Sequence, residues 1–380
     1  LFSFADVVSI EGMPGDLTVK LIKKPRYVDT MKCTACTDCF AVCPVGAVPM
    51  RFNFGRGQSK AIFIYSPFPP RKAMIDPQYC EYILNGKCGD KDKPPCVEAC
   101  KPEAIDFSQK PQEMTVRVGA VILATGADEV KGDALLGKHG YGKTPNVLTA
   151  LEYERLLSGL GPTSGVVKRG DGSEPKSVAW MVLEDSSSIG FMAAAAEALG
   201  TIEKNPEAAV TVFCRDTNPG RDSYQAFYSN SMEAGVRFIN GDSVLVEPDD
   251  GGAIQVRYNL EGRQAILTVE MLVLVPPLEA PAGARKLLEK LGIKTNKRGF
   301  PETGDGLSHP LDTGRPGIFI CGTARGSRGI DDSVIEACSA AAKSAVLLAP
   351  YKETKRAPAP KVKPLPVKAE DEPALSLIHI

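Results

Sequence analysis

The chain has 380 residues, 43% of them hydrophobic and 24% charged, with a formal net charge of −1. That length supports two or three domains with cores of their own, and the near-zero charge gives no electrostatic basis for binding nucleic acid or an anionic membrane. The longest apolar stretches, such as residues 266–278, are short and broken by Glu270 or Pro276-Pro277, whereas a bilayer span needs about 20 apolar residues.

Residues 1–28 read as strand–turn–strand, with Gly12-Met-Pro-Gly15 turning between apolar runs at 7–10 and 17–22. A chain that opens in the middle of a sheet and lacks a start methionine reads as a fragment of a longer reading frame.

Eight of the eleven cysteines follow, between residues 33 and 100. The first four form Cys33-Thr-Ala-Cys36-Thr-Asp-Cys39-Phe-Ala-Val-Cys43-Pro44, and the second four are Cys80, Cys88, Cys96 and Cys100. A shift of 57 residues lays Cys39, Cys43, Ala47 and Val48 on Cys96, Cys100, Ala104 and Ile105, an internal repeat of the two-cluster ferredoxin kind. Three cysteines at two-residue gaps can wrap one side of a cubane, while the fourth, before proline, points away to the other cluster. The expected ligand sets are therefore Cys33, Cys36, Cys39 and Cys100 for one [4Fe–4S] cluster, and Cys80, Cys88, Cys96 and Cys43 for a second. Zinc or disulfides are the alternatives weighed against iron and sulfide. The second motif departs from the usual spacing, with seven residues between Cys88 and Cys96. Thiolate clusters of this kind suit a reducing compartment, so a cytoplasmic protein is expected, peripheral to a membrane at most through partner subunits and not inserted in it.

Residues 114–126 start with alternation and become a continuous apolar run, as in a strand entering the middle of a sheet, and end at Ala124-Thr125-Gly126. A helix is expected over 146–158, then a Gly/Pro/Ser-rich connection to 176. Strands at 176–183, 209–214 and 236–239 alternate with helices at 189–200 and 224–234. Strand-like runs at 244–247, 253–259 and 265–275 complete a small α/β unit, with a turn at 249–252. A short helix at 284–291 precedes a strand at 317–322 and a capped helix at 331–349. That last unit carries Gly322-Thr323, a Gly/Arg/Ser loop and Asp331-Asp332-Ser333, and a helix N-terminus so placed favours a ligand oxygen or an anionic ring. Cys214, Cys321 and Cys338 read as small buried apolar residues, and His139, His309 and His379 do not read as catalytic. Residues 351–373 read as a linker. Leu375-Ser-Leu-Ile-His-Ile380 matches nothing before it and reads as a non-native tail of translated transposon-end adapter sequence.

These phrases in this order resemble HdrA, the flavin/iron–sulfur subunit of heterodisulfide reductase, and its relatives, including flavin subunits of the quinone-interacting membrane-bound oxidoreductase complex. The resemblance rests on the first cluster motif, Lys24-Pro-Arg-Tyr-Val-Asp29, Pro70-Arg71-Lys72, Ile75-Asp76-Pro77, Ala104-Ile-Asp-Phe107, Val121-Ile-Leu-Ala-Thr-Gly126, the stretch 145–157, Gly235-Val-Arg-Phe-Ile239 and Asp332-Ser333. It implies an α/β, thioredoxin-reductase-like FAD/NAD(P)-type flavoprotein fold with an inserted two-cluster ferredoxin (α+β) domain. The implied division is 1–28, 111–175 and 281–350 for the FAD-binding domain, 29–110 for the ferredoxin, and 176–280 for a degenerate NAD(P)-like domain. It further implies that Thr125 and Gly126 lie beside FAD, that Gly322 and Thr323 stand where relatives carry Gly-Asp towards the ribityl chain, and that Asp332 and Ser333 set a helix N-terminus by the flavin. Thr323 departs from that pattern, since it brings no carboxylate.

A second departure is the stretch 184–193, which has no cysteine where many members bind another cluster. The same turn lacks Gly-x-Gly-x-x-Gly, so no nicotinamide fingerprint is visible. The expectation is an electron-transfer flavo-iron–sulfur oxidoreductase subunit with FAD and two [4Fe–4S] clusters, no catalytic acid–base residue of its own, and redox subunits as partners. The rivals are an NAD(P)H-linked flavin/iron–sulfur oxidoreductase and a ferredoxin-type wiring or assembly subunit that holds no flavin.

Overall fold

The computed structural model describes residues 2–64, 70–183, 188–214, 222–240, 243–248, 252–260, 262–303 and 308–351. At Gly12 (φ 108°) a Cβ would lie 2.4 Å from the Asp16 carbonyl oxygen, so glycine is what lets β1 (Ala5–Met13) reverse into β2 (Asp16–Lys23). Both expected strands lie inside this antiparallel hairpin. The chain then leaves the sheet at Lys23 and returns at Gln112, its paired neighbour on the next long strand.

Residues 24–111 fill that gap with short elements: α1 (Asp38–Val42), β3 (Val48–Pro49), β4 (Gln58–Ser59), β5 (Ile62–Phe63), β6 (Met74–Ile75), α2 (Glu81–Asn85) and α3 (Pro95–Ala99). Four of the ten buried residues of their core are cysteines: Cys33, Cys39, Cys80 and Cys96 pack with Val28, Ile62, Ile75 and Ala104.

The single strand expected over 114–126 is two strands in two sheets. β7 (Gln112–Val118) completes the antiparallel sheet beside β2, and β8 (Val121–Leu123) pairs in parallel with a later strand. The break falls at Gly119, where a side chain would collide with Leu348 and where the carbonyl accepts the Gly15 N–H at 2.8 Å. After β9 (Asp128–Glu129) and α4 (Asp133–Leu136), the helix expected from 146 begins later. Its first residues form β10 (Val147–Thr149), and α5 (Ala150–Leu157) starts at a capping box in which Thr149 and Glu152 satisfy each other's backbone N–H.

β11 (Ser177–Val182), α6 (Ser188–Lys204), β12 (Ala209–Cys214), α7 (Asp222–Glu233) and β13 (Arg237–Asn240) follow as crossovers of a parallel sheet. β14 (Ser243–Pro248), β15 (Ile254–Leu260) and β16 (Arg263–Val269) form an antiparallel sheet, with Ile254, Val256 and Tyr258 buried on one face. β17 (Met271–Val275) is buried on both sides and lies inside the parallel sheet, whose order is β10-β17-β11-β12-β13. The strand expected over 265–275 thus divides at Glu270. Its N–H donates to Ser177 and its carboxylate accepts the Lys176 N–H at 2.6 Å, which pins the switch of sheets. β10 and α5, placed by sequence on the FAD-binding side of a boundary at 175, belong to this sheet because β10 pairs with β17.

β18 (Leu278–Glu279) pairs with β9, and α8 (Ala282–Lys290) packs Leu287 and Leu288 onto the first sheet. β19 (Ile318–Ile320) pairs with β8, and α9 (Ile330–Leu348) follows. The cap expected at Asp331 is absent: the N-cap is Gly329, without a side-chain hydrogen bond, and Asp331 and Asp332 lie in the first turn. Cys214 and Cys321 are buried as expected, but Cys338 is exposed on α9. The turn residues 184–187 and 249–251 and the tail 352–380 lie outside the described residues. Among the described residues no helix is long and apolar enough to cross a membrane.

The parallel sheet buries an acid. Glu197 on α6 accepts the Trp180 Nε1–H at 2.9 Å, Trp180 packs edge-on to Tyr153 (5.2 Å between centroids), and the Tyr153 hydroxyl bonds Thr201 at 2.8 Å. Burial pushes the Glu197 carboxyl well above its ordinary value, against the opposing Trp180 bond. A raised folded-state pKa contributes stability that is complete below the unfolded value and is lost as pH rises towards the folded one. Glu197→Gln keeps the acceptor and removes the ionisation. It should match the wild type near pH 4 and exceed it at pH 7, the gap growing by at most about 1.4 kcal/mol per pH unit. Urea unfolding followed by the single tryptophan, Trp180, checks this, and equal slopes against pH would overturn it.

Candidate functional site

The repeat seen in the sequence takes physical form in α1 and α3, which are equivalent over all five residues under the 57-residue shift. Each holds a buried cysteine at its second position (Cys39, Cys96) and ends on another at its C-cap (Cys43, Cys100). Each C-cap N–H bonds the equivalent carbonyl, Phe40 in one helix and Val97 in the other. Beyond the cysteines the correspondence slips by one residue, because the left-handed residue is Ala47 in one half and Glu103 in the other.

The cysteines surround two small cavities. Cys33, Cys36, Cys39 and Cys100 line one, with Val28, Ala73 and Ile105. Cys43, Cys80, Cys88 and Cys96 line the other, with Ile62, Ile75 and Pro95. Each helix therefore sends its buried cysteine into one cavity and its C-cap cysteine into the other. Ala35 (φ 60°) and Thr37 (φ 73°) bend the backbone either side of Cys36, so that residues 33–39 curl around a cavity wall. The long Cys88–Cys96 connection closes locally. Cys88 and Lys91 exchange backbone hydrogen bonds, the Gly89 N–H donates to Glu81, and Pro95 opens α3. Among the described residues no three His, Cys, Asp or Glu stand close enough to hold one metal ion, so the thiols enclose a volume rather than converge on a point.

The donor chemistry fits a thiolate-ligated cluster. Backbone N–H groups reach sulfur from Ala73 to Cys33 (3.5 Å) and from Ala104 to Cys100 (3.2 Å). Phe40 bonds Cys39, and Ile83 and Tyr82 bond Cys80, each favouring the thiolate. Burial works the other way and is larger: with neighbouring sulfurs it pushes Cys39 up to about 11 and Cys96 up to about 12. Without metal these two are neutral thiols.

The other predicted residues gather at the ends of β8 and β19. Because Leu123 pairs with Ile320 and the Cys321 N–H bonds Leu123, both strands deliver their C-terminal turns to one edge. Thr125 is exposed there, Gly126 (φ 73°) has open space on its side-chain face, and Thr323 is half-buried. Gly322 (φ 64°) lies against Ser333, whose Oγ would be 3.6 Å from a side chain at 322. Ser333 turns its hydroxyl proton back to the Gly329 carbonyl at 2.8 Å, and Asp332 sits beside it in the first turn of α9.

Sequence reading missed three residues here. Glu336, one turn beyond Ser333, accepts the Gly322 N–H at 2.8 Å and binds both Arg325 and Arg328 (2.9 Å to the latter). Arg325 is nine-tenths buried, yet its Nε has no partner. The signal was present as a Gly/Arg/Ser loop with an acid three residues after Ser333, but nothing in the spacing said that they meet. Burial and the Glu336 charge push the Cys321 thiol up, which keeps it inert.

No protein-family model matches the chain. The HdrA subunit of the CoB–CoM heterodisulfide,ferredoxin reductase of Methanothermobacter thermautotrophicus is 34% identical over 364 residues, which are 91% of this chain and 53% of that protein. The iron–sulfur HdrA subunit of the CoB–CoM heterodisulfide reductase of Methanocaldococcus jannaschii is 32% identical over 365 residues, 92% of this chain and 54% of that protein. The chain spans about half the length of these curated relatives, and over that half it is similar to the HdrA subunit of heterodisulfide reductase. Thioredoxin reductases from Lactococcus lactis (18% identity, TM-score 0.41, 76% of this chain and 85% of that one) and T. acidophilum (14%, 0.41, 77% and 85%) overlap the structure partially.

The two cavities predict the order of thiol modification in metal-free protein. At pH 8 a thiol of pKa about 11 is only about one part in a thousand thiolate. Iodoacetamide should therefore label exposed Cys36 and Cys338 first and Cys39 and Cys96 last, as read by a mass-spectrometric time course. Equal rates at Cys36 and Cys96 would contradict the burial.

Proposed function

We propose that this chain is the core of an electron-transfer flavo-iron–sulfur subunit of a heterodisulfide-reductase-type oxidoreductase complex. On this reading residues 29–110 are a two-cluster ferredoxin unit set into a thioredoxin-reductase-like FAD-binding fold. The observation that carries it is the division of eight cysteines into two groups of four, each cavity taking one sulfur from the opposite helix. When bound, the clusters supply one-electron steps and the flavin exchanges electron pairs for single electrons.

What the chain itself does is hold, insulate and connect. Cys33, Cys36, Cys39 and Cys100 would ligate one cluster, and Cys43, Cys80, Cys88 and Cys96 the other. Apolar walls exclude water, and N–H groups aimed at sulfur stabilise the thiolates that burial disfavours. The crossed ligands place the cavities back to back through two five-residue helices, which keeps the path between them short.

At the other site Thr125, Gly126, Gly322, Thr323, Asp332 and Ser333 would line the flavin. The strand ends meet at one edge of a parallel pair, a common place for a ligand in α/β folds, and the orphaned Arg325 Nε points to a missing acceptor. Glu336 fixes the Gly322 turn and both arginines, so it supplies from α9 the carboxylate that Thr323 lacks. Redox partner subunits complete the reading: Cys214, Cys321 and Cys338, which lie outside the two groups, form no Cys-x-x-Cys dithiol.

Anaerobic purification of the full-length protein, with iron, sulfide and FAD quantified together, tests the reading. About eight iron and one FAD per chain are expected; four iron would mean that one group of thiols closes no cluster. Cys43→Ser should perturb the electron paramagnetic resonance signal of the cluster held with Cys80, Cys88 and Cys96, and Cys100→Ser the other. If Cys43→Ser and Cys36→Ser alter the same signal, the crossed assignment is wrong. Glu336→Gln, which loosens the Gly322 turn and both arginines, should weaken FAD binding roughly tenfold through lost preorganisation, as read by flavin fluorescence titration.

A further inference from the structure

The two groups of thiols are matched in sequence but not in surroundings. In the first, backbone N–H groups reach three of the four sulfurs: Ala73 to Cys33 (3.5 Å), Ala104 to Cys100 (3.2 Å) and Phe40 to Cys39. In the second, Cys80 takes two, from Tyr82 and Ile83, while Cys43 turns its own thiol proton to the Val45 carbonyl at 3.8 Å. Exposure differs in the same sense: Cys36 of the first group is exposed, whereas Cys80, Cys88 and Cys96 of the second are all buried.

The fixed charges divide too. Among the described residues Glu81 is the one charged side chain that lines either cavity, and it belongs to the second. It follows Cys80 directly, opens α2, and is held in place by the Gly89 N–H at 3.0 Å. Its charge pushes the Cys80 and Cys88 thiols up, and at Cys88 it outweighs Lys91, which stands exposed on the turn beyond.

The first group has a cation instead. Half-buried Lys72 donates from Nζ to the Cys33 carbonyl at 2.5 Å, and it precedes the Ala73 N–H that reaches Cys33 Sγ. Asp29, upstream of Cys33, turns its carboxylate to the Met31 N–H at 2.8 Å and is not part of the cavity wall.

We propose that Lys72 and Glu81 set the two clusters apart in potential, so that the one held by Cys33, Cys36, Cys39 and Cys100 is the easier to reduce. The proposal rests on the iron–sulfur reading above. A one-electron reductant adds one negative charge to the centre it reduces, with no bond made and no proton moved. N–H dipoles, solvent and a cation stabilise that charge, and a carboxylate opposes it. All four differences between the groups therefore favour the first. An electron that enters through the second group passes on to the first, the one centre being oxidised as the other is reduced.

Both side chains also make ordinary structural bonds. If those were their whole role, Glu81 would only close the turn at Gly89, and Lys72 would only brace the Cys33 loop. Charge separates the two roles. Glu81→Gln keeps an acceptor for the Gly89 N–H and loses the charge. Lys72→Met loses charge and hydrogen bond together, and Lys72→Arg restores both.

Anaerobic redox titration of the cluster-loaded, full-length protein, read by low-temperature electron paramagnetic resonance, tests this. In the wild type two cluster signals should appear in turn, first the one that Cys36→Ser perturbs and then the one that Cys88→Ser perturbs. Coincident midpoints, or the reverse order, would overturn the proposal while leaving both clusters in place, and that comparison needs no charge variant. Glu81→Gln should raise the later midpoint and leave the earlier one, changing the electron's partition between the clusters about tenfold, which is about 59 mV for one electron. Lys72→Met should lower the earlier midpoint alone, and Lys72→Arg should bring it back. If Glu81→Gln moves neither midpoint at wild-type iron content, Glu81 is a turn residue only and the assignment of charge is wrong. Protein that holds no iron would instead sink the iron–sulfur reading itself.

Discussion

On the cluster reading proposed above, the constraint on which the rest depends is that sulfur must be buried and ionised at once. Burial, with the neighbouring sulfurs, carries Cys39 to about 11 and Cys96 to about 12, far from the state a metal ligand needs. The energy that reverses this has to come from bound metal and from N–H groups aimed at the sulfurs. Residues 24–111 are built accordingly. Among the described residues of this segment no strand is longer than two residues and no helix longer than five, because long regular elements would satisfy their own N–H groups and leave none for sulfur. Their core has cysteines where another domain would have leucines.

Such a segment needs a scaffold that does not depend on it. Lys23 and Gln112, the residues on either side, are hydrogen-bonded neighbours in the three-stranded sheet, so the ends already meet. Loop closure then costs little more for a long insertion than for a short one. The insertion is also strapped down at a distance. Arg56 reaches Glu152 on α5 at 3.3 Å, Arg155 returns a bond to Asn53 at 3.3 Å, and Arg155 stacks on Phe52 at 4.6 Å. Glu152 is the same residue that closes the α5 capping box and accepts the Tyr141 hydroxyl. One carboxylate therefore ties helix start, loop and cysteine segment together, which explains why the phrase around residues 145–157 reads so distinctly in the sequence.

The cysteine grouping was legible because the repeat that spaces it is local in the chain, and each expected set of four lines one cavity. Even the seven-residue gap before Cys96 needed only a local turn at Cys88–Lys91 to close. The parallel strands were legible because double burial makes continuous apolar runs. What escaped was every place where an apolar run changes sheet. Residues 114–126 and 265–275 each look like one strand, since both sheets ask for the same residue types. Gly119 and Glu270 mark the breaks, and their meaning lies in Leu348 and Ser177, distant in the chain. Cys338 was misread for a related reason. An alanine-rich helix looks buried from its composition, yet α9 exposes Ile330, Val334, Ile335 and Val346.

The two cofactor regions proposed for this chain obey opposite electrostatic rules. Around the sulfurs the lining carries one charged residue, Glu81, among apolar and small polar ones. At the ends of β8 and β19 charge is concentrated and balanced, with two guanidiniums on one carboxylate. The difference follows from what each site must discriminate. A cluster exchanges one electron, and a nonpolar shell with N–H dipoles tunes it without competing ligands. A flavin gains or loses protons as well as electrons, so fixed charges nearby decide which protonation state is stable. The helix N-terminus at Gly329 favours the anionic form of a ring set against it, while the carboxylates of Asp331 and Asp332 in the same turn oppose it.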